Sequence, residues 1–113
     1  MLSISSDTDQ LRGLSVVKVD GRVDSETAPQ LQEALTALLD AGCAKIVINL
    51  QDVEFMSSAG LRAMVAAYQA AQKASGSVRL AAVPEFITSI MYTVGLNQML
   101  LSYPSDQEAV ADF

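Results

Sequence analysis

The chain has 113 residues, half of them hydrophobic, which suits one domain around one buried core. Seven basic against thirteen acidic residues give a net charge of −6 with no basic cluster, which argues against nucleic acid and against an anionic membrane surface. One cysteine, Cys43, and no histidine leave nothing for an internal disulfide, a zinc site or a histidine-based catalytic centre.

The first ten residues, MLSISSDTDQ, lack the basic region and apolar run of a signal peptide. No apolar run reaches the roughly 18 residues that a membrane span needs. The expectation is a cytoplasmic domain over residues 1–113, a monomer, with no metal and no cofactor.

In chain order, residues 2–6 alternate apolar and polar and predict an edge strand. Residues 7–13 are a polar, turn-forming stretch. A second strand is predicted over 14–19, ending at Asp20-Gly21, a strong turn pair. The two strands read as a hairpin.

Thr27 is the predicted cap of the first helix, with Gln30 completing a capping box and Pro29 in the first turn, where its missing N–H does no harm. Ala28, Leu31, Ala34, Leu35, Leu38 and Leu39 form its apolar stripe, and Gly42 is its stop. Residues 45–50 (KIVINL) are β-branched and nearly continuously apolar, as in a central strand covered on both faces.

Ser57-Ser58-Ala59-Gly60 then opens the longest helix. Leu61, Met64, Val65, Tyr68 and Ala71 make one stripe of it, and Ala59, Ala63, Ala66 and Ala70 a second, small-residue face. That second face reads as tight helix packing, a neutral surface or a partner groove. Gly76 is the predicted stop.

A strand is predicted over 78–83. A third helix opens at Pro84-Glu85, with Phe86, Ile87, Ile90, Met91 and Val94 inward and Gly95 as its stop. A last strand over 99–103 and a short helix capped at Ser105 complete the chain, with Val110 and Phe113 able to dock that helix on the body. The order β-β-α-β-α-β-α-β-α predicts an α/β domain: a mixed sheet of four to five strands with about four helices, joined in its middle by right-handed parallel crossovers. Met56, Met64, Met91 and Met99 fall at core spacings, and Cys43 reads as a structural or idle thiol.

A serine at a helix start is exposed, and its neighbours' free N–H groups favour an anion there. Ser57 and Ser58 are therefore either plain helix caps or a seat for phosphate.

Three stretches carry a family resemblance. They are Gly21-Arg22-Val23-Asp24 with Thr27-Ala28 and Leu31; Ile46 to Leu50 followed by Val53, Phe55 and Met56; and Ser57-Ser58-Ala59-Gly60-Leu61. In that order and at those separations they resemble the STAS domain, specifically the small stand-alone bacterial anti-sigma factor antagonists. The resemblance spans essentially the whole chain. In that family a serine is phosphorylated by a serine/threonine kinase that is also the anti-sigma factor. The unphosphorylated antagonist binds this kinase and releases the sigma factor, and a metal-dependent serine phosphatase restores the binding form.

Aligned on Gly60 and Leu61, the resemblance places the phosphoacceptor at Ser58. Ser57 stands where many members have aspartate, which makes it a rival acceptor, and Asn49 replaces the usual acidic residue of the strand. Asp24 is implied as a neighbour that orients the serine hydroxyl or contacts the kinase, although it also reads as a holder of its own loop. Ser57, Ala59, Gly60 and Arg62 complete the implied partner surface, with Asp52 and Glu54 bordering the same loop. Two other readings remain: a non-phosphorylated STAS scaffold or sensor that binds a nucleotide or small anion, and a partner switch acting on a non-sigma effector. With no GxGxxG or GKS/GKT loop and no nucleophile with an evident base, the sequence offers little for an enzyme.

Overall fold

The computed structural model describes residues 2–113. Strands β1 (Leu2–Asp9) and β2 (Leu14–Val23) form an antiparallel hairpin in which Ile4 pairs with Val19 and Asp9 with Leu14. From β2 onward each strand lies parallel beside the one before: β3 (Lys45–Met56), β4 (Ser77–Ala81) and β5 (Ser102–Tyr103). The sheet order is β1-β2-β3-β4-β5, so the mixed five-stranded sheet and the element order agree with the sequence reading.

Parallel neighbours need crossovers, and helices supply them: α1 (Ala28–Asp40), α2 (Ser58–Lys73) and α3 (Glu85–Val94). Leu31 and Leu35 of α1, Leu61 and Met64 of α2, and Ile87 and Met91 of α3 share one core with Val17, Val19, Ile46, Ile48, Leu50 and Leu80 of the sheet. Successive strand residues face opposite sides, so Val47 of β3 joins a second cluster with Ala81 and Ala109. The last helix, α4 (Asp106–Ala111), covers that face, and Val110 and Phe113 pack there as the sequence suggested. Covering on both sides explains the continuous apolar run of β3.

Arg79 of β4 helps to hold the C-terminal segment. Its guanidinium lies 4.2 Å from the centroid of the Phe113 ring and 5.9 Å from that of Tyr103. Tyr103 in turn donates its hydroxyl proton to Asp112.

Several boundaries move, each for a physical reason. Strand β2 does not end at Asp20-Gly21 but runs through it, and β1 continues to Asp9, so the predicted turn stretch 7–13 narrows to a hairpin turn at 10–13, with Gly13 at φ +60°. Gly21, at φ +116°, sits where the β2–β3 register slips, so this glycine serves a β-bulge and not a turn. Strand β3 continues to Met56 through these shifts, which puts Asp52 and Glu54 in the strand and not in a loop. Gln30 makes no capping box: its side-chain amide donates to the Leu2 carbonyl, and Thr27 does not cap α1 by its side chain.

At the end of α2, Ser75 takes the left-handed conformation at φ +63°. Gly76 is needed for a different reason, since a Cβ there would lie 2.0 Å from the Ala44 carbonyl oxygen. Strand β4 stops at Ala81. The predicted strand over 99–103 shrinks to Ser102–Tyr103, preceded by a 3-10 turn, Leu96–Gln98. Phe86 and Val94, predicted inward, are exposed at 42% and 57%. Met56, Met64 and Met91 are buried, and so is Cys43. Among the described residues, no helix is long and apolar enough to cross a membrane.

Candidate functional site

The candidate site lies at the carboxyl ends of β2 and β3, where ligands and partners of parallel sheets commonly approach. Val23 and Met56 pair across the two strands, and the Ser57 N–H donates to the Val23 carbonyl at 2.8 Å. The loop before α1 and the start of α2 are thereby held side by side, as the sequence order required.

Asp24 occupies the first of these loops. Its Oδ1 accepts the N–H groups of Glu26 and Thr27, each at 3.0 Å, and the Thr27 hydroxyl at 3.2 Å. The Asp24 N–H donates back to Thr27 Oγ1 at 2.9 Å. This is a reciprocal cap one turn earlier than the predicted Thr27–Gln30 pair, and it extends α1 backward through the Ala28 N–H to Asp24 carbonyl bond. The Thr27 N–H, above all, holds the Asp24 carboxyl below the ordinary carboxylate range; desolvation opposes this, and the Glu26 N–H, the Thr27 hydroxyl and the Arg22 charge support it. No hydrogen bond joins Asp24 to Ser57 or Ser58 among the described residues; the carboxylate organises its own loop.

The two serines separate cleanly. Ser57 is extended at φ −85°, ψ 171°, and its Oγ accepts the Gly60 N–H at 3.4 Å. It is the helix cap. Ser58 is the first residue of α2, exposed, and its hydroxyl makes no hydrogen bond among the described residues. Ala59 beside it is half-buried.

Gly60 lies inside the protein. A Cβ there would meet Met56 Sδ at 2.3 Å and Val23 Cγ1 at 2.6 Å, so the glycine lets α2 start directly against the strand ends and offers no outward surface. The small-residue face of α2 points along α1: Ala63 is buried, and Ala66 and Ala70 line a shallow cleft with Leu35 and Leu39. Arg62, exposed, stands on the ridge between two grooves. It shares one with Ser58, Val94 and Leu96 and the other with Ser25 and Pro29.

Two features of this end escaped the sequence reading. The Arg22 guanidinium lies 4.5 Å from the centroid of the Phe55 ring, its partner across the bulged ladder, and Phe55 remains 39% exposed. Val94 turns to the surface beside α2. A bulge shifts side chains between faces, so strict alternation could not have placed the first pair. Val94 keeps the helical spacing of the buried Ile87 and Met91, but it is the last residue of α3 and lies past the stretch of that stripe which the core covers. Asp52 meets Lys18 at 3.2 Å, an exposed pair of little energetic weight.

A family model described as the STAS domain matches residues 5–109. The chain belongs to the STAS-domain family. This STAS domain is 30% identical over 99 residues to the anti-sigma-B factor antagonist of Bacillus subtilis (strain 168), covering 88% of the present chain and 90% of that one. It is 31% identical over 84 residues to the anti-sigma-B factor antagonist of Staphylococcus aureus (strain NCTC 8325 / PS 47), covering 74% and 78%. Its fold superposes on the crystal structure of an anti-sigma factor antagonist from Mycobacterium paratuberculosis with a TM-score of 0.87 at 28% identity, over 99% of this chain and 93% of that one.

Proposed function

We propose that this STAS domain is an anti-sigma factor antagonist, a binding module without catalysis of its own, and that Ser58 is its phosphoacceptor. In this reading the unphosphorylated domain binds a cytoplasmic anti-sigma factor that is also a serine/threonine kinase, which frees the sigma factor. Phosphorylation ends the complex, and a metal-dependent serine phosphatase renews it. The observation that carries the reading is the contrast at the start of α2: Ser57 is engaged as the cap, while Ser58 is exposed and unengaged. The names of the relatives support the class of partner.

Phosphate adds about −1.5 to −2 charge. At the first position of α2 the free N–H groups and the helix dipole favour that charge by roughly 0.5–1 kcal/mol, so the domain itself keeps its shape. The effect falls on the partner. A partner carboxylate about 5–6 Å from the new charge costs roughly 3 kcal/mol per unit of charge at an effective dielectric near 20, which is on the order of 100-fold in affinity.

The test is incubation with ATP and the candidate kinase, followed by mass spectrometry. Label is expected on Ser58 and absent from Ser58→Ala. Ser58→Ala is expected to bind the kinase like wild type, and Ser58→Glu to bind it poorly. Equal labelling of Ser58→Ala refutes the site, and tight binding by Ser58→Glu refutes the electrostatic switch.

A further inference from the structure

Six residues of α2 share one face at helical spacing: Ser58, Leu61, Arg62, Val65, Ala66 and Gln69. Together with Val94 and Leu96 they line an open groove of about 570 Å³. Its walls are mostly aliphatic, and Val94, 57% exposed, is one of them. From Ser58 to Gln69 the α2 wall is about 16 Å long, or three helical turns. The chain carries thirteen acidic residues, yet none lines this groove. Its one charge is Arg62, which makes no salt bridge among the described residues.

We propose that this groove receives a helix of about three turns from the protein partner, with apolar side chains along the floor and a carboxylate facing Arg62. This deepens the partner-switch reading and rests on it for the identity of the partner. The apolar walls call for an amphipathic helix laid along α2, with anchors at spacings of three and four residues. The lone cation near the Ser58 end fixes its register, because an acidic residue there meets Arg62 while a basic one meets an uncompensated like charge. Closure by phosphate follows from the same geometry. Arg62 stands four residues after Ser58, so a phosphate on Ser58 faces it across one helical turn. The phosphate competes with the incoming carboxylate for Arg62, the only cation of the groove among the described residues, in addition to repelling it.

A peptide selection tests the surface without any kinase. A display library of helical peptides of about sixteen residues is selected against the full chain. Selected peptides are then measured by calorimetry against wild type, Val94→Asp and Arg62→Glu, both at exposed positions, with far-ultraviolet circular dichroism as the folding check. The expected peptides carry apolar residues at helical spacing and an Asp or Glu near one end. Roughly tenfold or greater loss is expected in each variant, with Arg62→Lys retaining most of the binding. The proposal is overturned if wild type enriches nothing beyond an empty support, if the peptides bind both variants as well as wild type, or if their flanking charge is basic. Acidic amphipathic peptides from a protein that no kinase labels would refute the phosphoacceptor assignment alone. Kinase binding indifferent to both variants would refute the groove alone.

Discussion

Ser57 and Ser58 are neighbours in different roles: Ser57 Oγ accepts the Gly60 N–H at 3.4 Å, and Ser58 stands exposed at the first position of α2. Removing each hydroxyl therefore has a different consequence. Ser57→Ala leaves a helix-start N–H without its cap and is expected to destabilise the domain by about 0.5–1 kcal/mol, the lower part of the capping range because the bond is long. Ser58→Ala removes nothing the fold uses and is expected to stay within about 0.5 kcal/mol of wild type. Urea unfolding of the two variants measures this directly; a larger loss in Ser58→Ala would reverse the assignment of cap and free hydroxyl.

Gly60 supports the same loop from beneath. Adding a methyl group puts a carbon where Val23 and Met56 already sit. Met56 is able to swing its sulfur aside, but the branched Val23 side chain is fixed by its strand. Gly60→Ala is expected to cost about 1–3 kcal/mol, as overpacking of a filled core does. It is also expected to weaken kinase binding by lifting the first turn of α2. Thermal unfolding reads the first effect, and a variant as stable as wild type would mean that α2 starts further from the strands than the structure has it.

Asp24 links the loop to pH. Its carboxyl titrates below the ordinary range in the folded chain, principally because the Thr27 N–H bonds its ionised form. The stabilisation is fully present above the unfolded pKa of about 3.9 and is lost as pH falls through the lower folded value. Below about pH 4, wild type is therefore expected to lose stability more steeply than Asp24→Asn, whose amide still accepts the N–H bonds but does not titrate. Unfolding midpoints measured between neutral pH and pH 2 decide it. Parallel acid limbs in the two proteins would show that Asp24 has no linkage to folding.

Much of the architecture is written in local pattern. The 3.6-residue stripes of α1 and α2, the apolar run of β3 and the turn-rich joints between them are each readable alone, because one buried face imposes one period. Even so, local signals named the wrong residue where two groups compete for one task. Thr27 and Gln30 satisfy the rule for a capping box, but Asp24 lies one turn upstream with a better acceptor and takes the role, using Thr27 as its partner. Asp20-Gly21 has the composition of a turn, and the positive φ of Gly21 is real, but the strand goes through it as a bulge.

By itself the sequence determined the α/β order, the hairpin, the position of the serine loop after the central strand and the absence of histidine and grouped cations. These depend on residue type and spacing along the chain. Only the tertiary structure decided which serine is engaged, that Gly60 and Gly76 answer to close approach, and that Val94 lies outside with Arg62 beside it. The reason is physical. Capping partners, interstrand bulges and grooves between helices are set by residues far apart in sequence, and a one-dimensional period carries no record of them.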